Sequence, residues 1–171
     1  MKQTGFILPG RLRPLGWTLA ALSVAVIFIF SGQTGEESGA LSTQIAQFLA
    51  RAFTGTEMDP GRTEFSTLHL LVRKAAHAAV YCMLALSVAF LLHTYPLTPR
   101  IRYLGAAGFC LACAAADEFQ QHFRAGRTGA VTDVLIDMGG ALAGLIVFYC
   151  LLRLIRRPRS ARMQGTPGDA L

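Results

Sequence analysis

At 171 residues the chain is long enough for one domain and too short for two comfortable ones. Hydrophobic residues make up 53% and charged residues 15%, against about 25% charged in an ordinary soluble domain. That balance excludes disorder, and with a mean hydropathy of +0.43 it leaves a soluble fold more apolar surface than it could bury. The net charge of +6 would suit nucleic acid in a soluble chain, but the placement of the charges points to a membrane.

Four stretches without Asp, Glu, Lys or Arg punctuate the sequence. The first holds 22 residues between Arg13 and Glu36, centred on TLAALSVAVIFIF. A crossing helix needs about 20 mainly apolar residues to traverse ~30 Å of hydrocarbon, so this stretch suffices. Pro14 at a helix start and Trp17 at interface depth suit a retained span. No small-x-small cleavage pattern follows Phe30 directly, which speaks against a cleaved secretory signal.

A long loop follows, from Ser31 to about Phe65. Within it Thr34-Gly-Glu-Glu37 has the form of a capping box, and Leu41, Ile45, Phe48, Leu49 and Ala52 recur at helical spacing. These residues predict a short amphipathic helix lying on the outer bilayer surface or against the bundle. Residues 54–64, TGTEMDPGRTE, predict a turn-rich return.

The second charge-free stretch has 25 residues between Lys74 and Arg100 and includes His77 and His93. Its helix is expected to begin near Ser66 and to run to about His93. The third has 14 residues between Arg102 and Asp117, and the fourth has 15 between Asp137 and Arg153. Fourteen residues rise only about 21 Å, so a third span must draw polar residues from its ends into the bilayer. Arg102 can snorkel to the interface on its long stem, whereas a short acid cannot reach far. The fourth span is long enough only when counted from Val134 to Leu152, which places Asp137 at membrane depth.

The fold class expected is therefore all-α: a polytopic membrane protein, a four-helix transmembrane bundle with a short amphipathic helix in the first outer loop. Residues 1–13 form the N-terminus, 14–152 the four-span domain and 153–171 a basic tail. With four spans, ten Lys and Arg lie on the side of both termini and six on the other. By the positive-inside rule both termini face the cytoplasm. The tail sequence RLIRRPRSAR reads as a topology anchor attracted to anionic lipid, and no nucleic-acid partner is needed to explain it. Cys82, Cys110, Cys113 and Cys150 all fall in apolar stretches, where they are expected to pack as small thiols between helices. No metal site and no cofactor is assigned.

Chemistry-bearing residues cluster at the outer ends of the second to fourth spans. Arg73, His77 and Tyr81 are spaced by four and share a helix face. Asp117 and Glu118 are followed by Gln121 and His122, and Arg127 sits in the glycine-containing connection QHFRAGRTGAVTD. Asp133 and Asp137 open the last helix above Gly140 and Gly144, a G-x-x-x-G that permits close helix packing. Charges within a bilayer pair and face the bundle interior, so the cations Arg73, Lys74 and Arg127 should meet the acids Asp117, Glu118, Asp133 and Asp137.

Three blocks of sequence, SGQTGEESG, RKAAHAAVY and DEFQQHFRAGRTGAVTDVLIDMGGALAG, resemble the VanZ-like family of bacterial membrane proteins. The resemblance covers roughly residues 28–147. It implies a multi-span protein of the bacterial inner membrane and cell envelope and, through the family's namesake, an association with resistance to the glycopeptide teicoplanin. The family's motif residues fall on Gln33, Arg73, Lys74, His77, Tyr81, Asp117, Glu118, Gln121, Gly126, Arg127, Asp133, Asp137 and Gly140. Ala125 stands where the family often has Pro, which makes that turn less rigid.

Three functions compete at this point. An outward-facing polar pocket would bind a lipid-linked or peptidoglycan-related anion through Arg73, Lys74 and Arg127, with His77, Tyr81, Asp117, Glu118, Gln121, Asp133 and Asp137 completing it. An intramembrane hydrolase or transferase would use Glu118, His77 and Asp137 as acid and base groups. A metal-assisted version of that enzyme would draw on Glu118 and His122 with Asp133 or His77. A structural subunit, alone or in an oligomer, would use the charges only to specify helix assembly. No nucleophile elbow, H-E-x-x-H or P-loop is present to favour the enzyme.

Overall fold

A computed structural model describes residues 6–123 and 131–155. Those residues form five α-helices: α1 (Arg13–Ser31), α2 (Gly35–Thr54), α3 (Thr63–Leu92), α4 (Pro99–His122) and α5 (Val131–Ile155), with a 3-10 turn at Gly10–Leu12 before the first. No strand occurs among the described residues. Three segments are long and apolar enough to cross a membrane: Gly10–Ser31, Thr63–Leu92 and Val131–Ile155. The 24-residue α4, expected as a further span, is not among them, because Arg100, Arg102, Asp117 and Glu118 lower the mean hydropathy at both of its ends.

Helix α3 is the hub. It packs against all four of the others and most extensively against α5. That contact depends on two glycines. A Cβ on Gly140 would collide with the Ala78 carbonyl, and one on Gly144 with the Cys82 carbonyl oxygen. Backbone therefore lies directly on backbone, as expected of a G-x-x-x-G face. Around this seam a continuous core is built from Ala20 and Ile27 of α1, Leu84, Ala85, Val88 and Leu91 of α3, Ala106, Cys110 and Ala114 of α4, and Ala141, Leu145, Phe148 and Leu152 of α5. Small residues are frequent in it because dispersion between closely approaching helices, not expulsion of water, drives assembly in an apolar solvent.

The exterior is apolar too: Leu22, Ile29, Leu104, Leu111, Leu135, Leu142, Ile146 and Leu154 are exposed. Cys110 and Cys113 are buried as expected, but Cys150 lies on the exposed face of α5 and does not pack between helices.

The expected capping box is present. Thr34 N–H and Oγ1–H donate to Glu37 Oε2 at 2.8 and 3.1 Å, and Glu37 N–H donates to Thr34 Oγ1 at 3.3 Å. These bonds to Thr34 hold the exposed Glu37 carboxyl below its ordinary pKa. The helix they start is longer than expected, 20 residues, and ends at Gly55 in the left-handed conformation, φ 75°. It packs against α3, with Ser42, Ala46 and Ala50 buried, while Leu41, Ile45 and Phe48 of the predicted apolar stripe are exposed. The return loop is fastened by the Gln47 amide, which donates to Met58 O at 2.8 Å and accepts from Met58 N–H at 3.2 Å.

Arg102 is 1% exposed, and its guanidinium reaches the end of the bundle, where it donates to the carbonyls of Phe6 at 2.5 Å and Tyr95 at 3.0 Å. Arg13 donates to Thr94 O at 3.3 and 3.2 Å and lies over the Tyr95 ring, and Leu8 N–H donates to His93 O at 2.7 Å. The start of α1 is thus tied to the α3–α4 turn. Carbonyls past the last turn of a helix have no helical N–H to pair with, and the guanidinium groups supply donors to them.

Replacing Gly140 with Val should destabilise the bundle by several kcal/mol, since backbone cannot move aside as a side chain can. Gly139→Val, whose Cβ would meet nothing within 4 Å, should change stability by less than about 1 kcal/mol. Thermal unfolding of the two variants in detergent checks the contrast.

Candidate functional site

The polar residues meet where the C-terminal end of α1, the first half of α2, the N-terminal half of α3 and the last turns of α4 come together. A cavity of about 200 Å³ lies there. Its walls are largely apolar: Ile27 and Phe30 from α1, Leu41 and Ile45 from α2, and Val72, Ala76 and Val80 from α3. Its polar groups are Ser31, Gln33, Ser38, Ser42, Arg73, His77, Tyr81 and Asp117. The spacing of Arg73, His77 and Tyr81 by one turn each puts a guanidinium, an imidazole and a phenol in succession along one wall.

Beside the cavity the Gly140 contact sets the relation of α5 to α3. Asp137 lies one turn before that glycine and His77 one residue before Ala78, so the backbone approach brings the two side chains together. His77 Nδ1 and Asp137 Oδ1 are 3.7 Å apart. Asp117 arrives from α4 and is fully buried. Gln121, one turn later, donates from Nε2 to Asp117 Oδ2 at 3.2 Å and contacts Ser31 Oγ at 3.5 Å. His77, Asp117 and Asp137 each offer a ligand atom, and these atoms lie within 4.8 Å of one another. One nitrogen and two oxygens from three helices can exchange a proton, bind a cation or hold a polar ligand.

The other expected site residues are distributed around this cluster. Lys74 Nζ and Asp133 Oδ1 form a half-exposed ion pair at 2.6 Å that links α3 to the first turn of α5. Glu118 is half-buried. His122, the proposed partner of Glu118 in a metal set, is exposed and rests edge-on against the Phe123 ring, and the group of His77, Asp117 and Asp137 does not include it. Arg127, Gly126 and Ala125 lie outside the described residues.

Sequence reasoning missed the contribution of α2 and of Ser31, Ser38 and Ser42. Their signal was present but ambiguous, because serine in a helix more often bonds its own preceding turn, as Ser42 does to Ser38 O at 3.0 Å. Only the packing of α2 on α3 turns these residues toward a shared space.

Comparison with known proteins gives one positive result: a family model described as VanZ/LLP1 matches residues 16–154, which is most of the chain and contains every described residue of the cluster. No curated protein and no solved structure matches the chain.

Gln121→Leu removes the donor to a buried carboxylate and should lower stability by about 1.5–3 kcal/mol. Lys74→Met breaks a pair that water can replace, and should cost less than about 1 kcal/mol. Melting of both variants in detergent ranks the buried bond above the half-exposed one; the reverse order would contradict this account of the site.

Proposed function

The chain belongs to the VanZ/LLP1 family, and on that premise we propose that it works in the bacterial cytoplasmic membrane as a receptor for a lipid-linked or peptidoglycan-related anion. The cavity carries this reading. Its apolar walls suit the first carbons of a lipid chain, while Arg73 on the same wall suits a phosphate or carboxylate through its planar fork of donors. Gln33 and the serines of α1 and α2 add neutral hydrogen-bonding groups.

The membrane placement follows from the chain's own chemistry. The three segments are long and apolar enough to cross the bilayer, and in this reading α4 crosses with them as a fourth span. Support for α4 comes from both of its ends: Arg102 is bonded to carbonyls and Asp117 to Gln121, while Leu104 and Leu111 are exposed for contact with lipid. Four spans put both termini on the side richer in Lys and Arg, the cytoplasm. The cavity, between the end of α1 and the beginning of α3, then faces outward. A link to teicoplanin resistance belongs to the same reading and is open to test with the same variants.

The gathering of His77, Asp117 and Asp137 favours a second reading, an intramembrane hydrolase or transferase acting on a lipid-linked substrate, in which His77 and Asp137 relay a proton. Loss of turnover without loss of binding in Asp137→Asn would distinguish it from a receptor.

Farnesyl phosphate, a short polyprenyl anion, serves as the probe. Equilibrium binding to the purified full chain in detergent, with EDTA present, should weaken about 10-fold or more in Arg73→Ala and less in Arg73→Lys. Farnesol, which lacks the phosphate, should bind wild type and Arg73→Ala alike. Equal affinity of both proteins for farnesyl phosphate, or no binding by wild type, would overturn the assignment.

A further inference from the structure

We propose that His77, Asp117 and Asp137 bind one divalent transition-metal cation, Zn2+ fitting best, where α3, α4 and α5 meet beside the cavity. The donor set is the first support. Each helix gives one ligand atom, and the three atoms lie within 4.8 Å of one another. The 3.7 Å between His77 Nδ1 and Asp137 Oδ1 is too long for a hydrogen bond. It is close to the ~3.4 Å that separates two ligands held about 2.1 Å from a tetrahedral zinc ion. One imidazole with two carboxylates suits Zn2+ or Mn2+. Mg2+ and Ca2+ take oxygen ligands in greater number.

Two orphaned buried groups point the same way. Asp137 is 1% exposed, and its Oδ1 has no hydrogen-bond donor among the described residues. The Tyr81 hydroxyl, on a side chain 1% exposed, likewise has no hydrogen-bond partner among them. It lines the cavity next to His77 and lies within electrostatic reach of both Asp117 and Asp137. Buried polar atoms are rarely left in this condition without a ligand or an ordered water. A cation answers the first, and a water or ligand oxygen on that cation answers the second.

The surroundings are those of a metal site. Gln121 orients Asp117 through Oδ2, and Ser31 stands behind Gln121, an outer layer of the kind that fixes ligating carboxylates. Gly140 lets α5 lie close enough to α3 to bring Asp137 up to His77. Zinc with three protein ligands keeps a further position open, and two of the three ligands here border the cavity.

The test uses the full chain purified in detergent without a histidine tag, stripped by chelator and titrated with Co2+ as a spectroscopic probe. One cobalt per chain is expected, with the visible absorption of a low-coordinate nitrogen and oxygen site, displaced by Zn2+. Added Zn2+ should also raise the melting temperature. Asp137→Asn and His77→Gln should each weaken cobalt binding by about 10-fold or more, while His122→Ala leaves it unchanged. A variant without a cooperative melting transition is replaced by Asp117→Asn. Absence of cobalt absorption in wild type, or binding that persists in folded Asp137→Asn and His77→Gln, overturns the site and leaves His77 and Asp137 as an ion pair alone. Because farnesyl phosphate binding is measured with EDTA present, failure of the metal site and failure of the anion receptor are read separately.

Discussion

The approach of α5 to α3 through Gly140 and Gly144 is the constraint on which the rest depends. Two side chains of hydrogen let one helix rest on the carbonyls of Ala78 and Cys82. Any larger residue would push α5 outward along its whole length, because a helix moves as a rod. The core around Leu84, Ala141 and Leu145 would open, and Asp137 would leave His77. Packing and site chemistry are thus set by the same atoms, and the glycines serve the polar cluster although they carry no polar side chain.

A second principle runs through the molecule: polar groups at depth are tolerated where the chain supplies partners from a distance. At one end Arg102 and Arg13 satisfy carbonyls of the α3–α4 turn and of the segment before α1. At the other, Gln121 serves Asp117, and Lys74 meets Asp133. The two ends differ in kind. The first consists of cations on neutral carbonyls. The second gathers an imidazole and two carboxylates beside a cavity, an arrangement that binding chemistry can use.

Much of this was legible in the sequence because it rests on local rules. The capping box at Thr34 and Glu37, the four-residue spacing of Arg73, His77 and Tyr81, and the G-x-x-x-G of α5 each depend on helix periodicity alone, and each appears where expected. The parts not legible depend on which helix faces which. Nothing local revealed that the Phe6 and Tyr95 carbonyls would come within reach of Arg102. The sequence left α2 either on the bilayer surface or against the bundle, and only the packing shows that its small residues Ser42, Ala46 and Ala50 are the buried ones. The meeting of His77 with Asp137 and Asp117 is likewise a matter of helix rotation that spacing within one helix cannot decide.

The Arg102 clamp also bears on how the protein is made. Its guanidinium holds the carbonyl of Phe6, 96 positions earlier in the chain. While the ribosome is still delivering α2 and α3, that carbonyl has no such partner, and contacts between remote parts of a chain form late. The segment before α1 can be held first by Leu8 on His93 and Arg13 on Thr94, but the Phe6 carbonyl is paired only once Arg102 of α4 arrives. An early segment of this corner is thus fully secured by a late one.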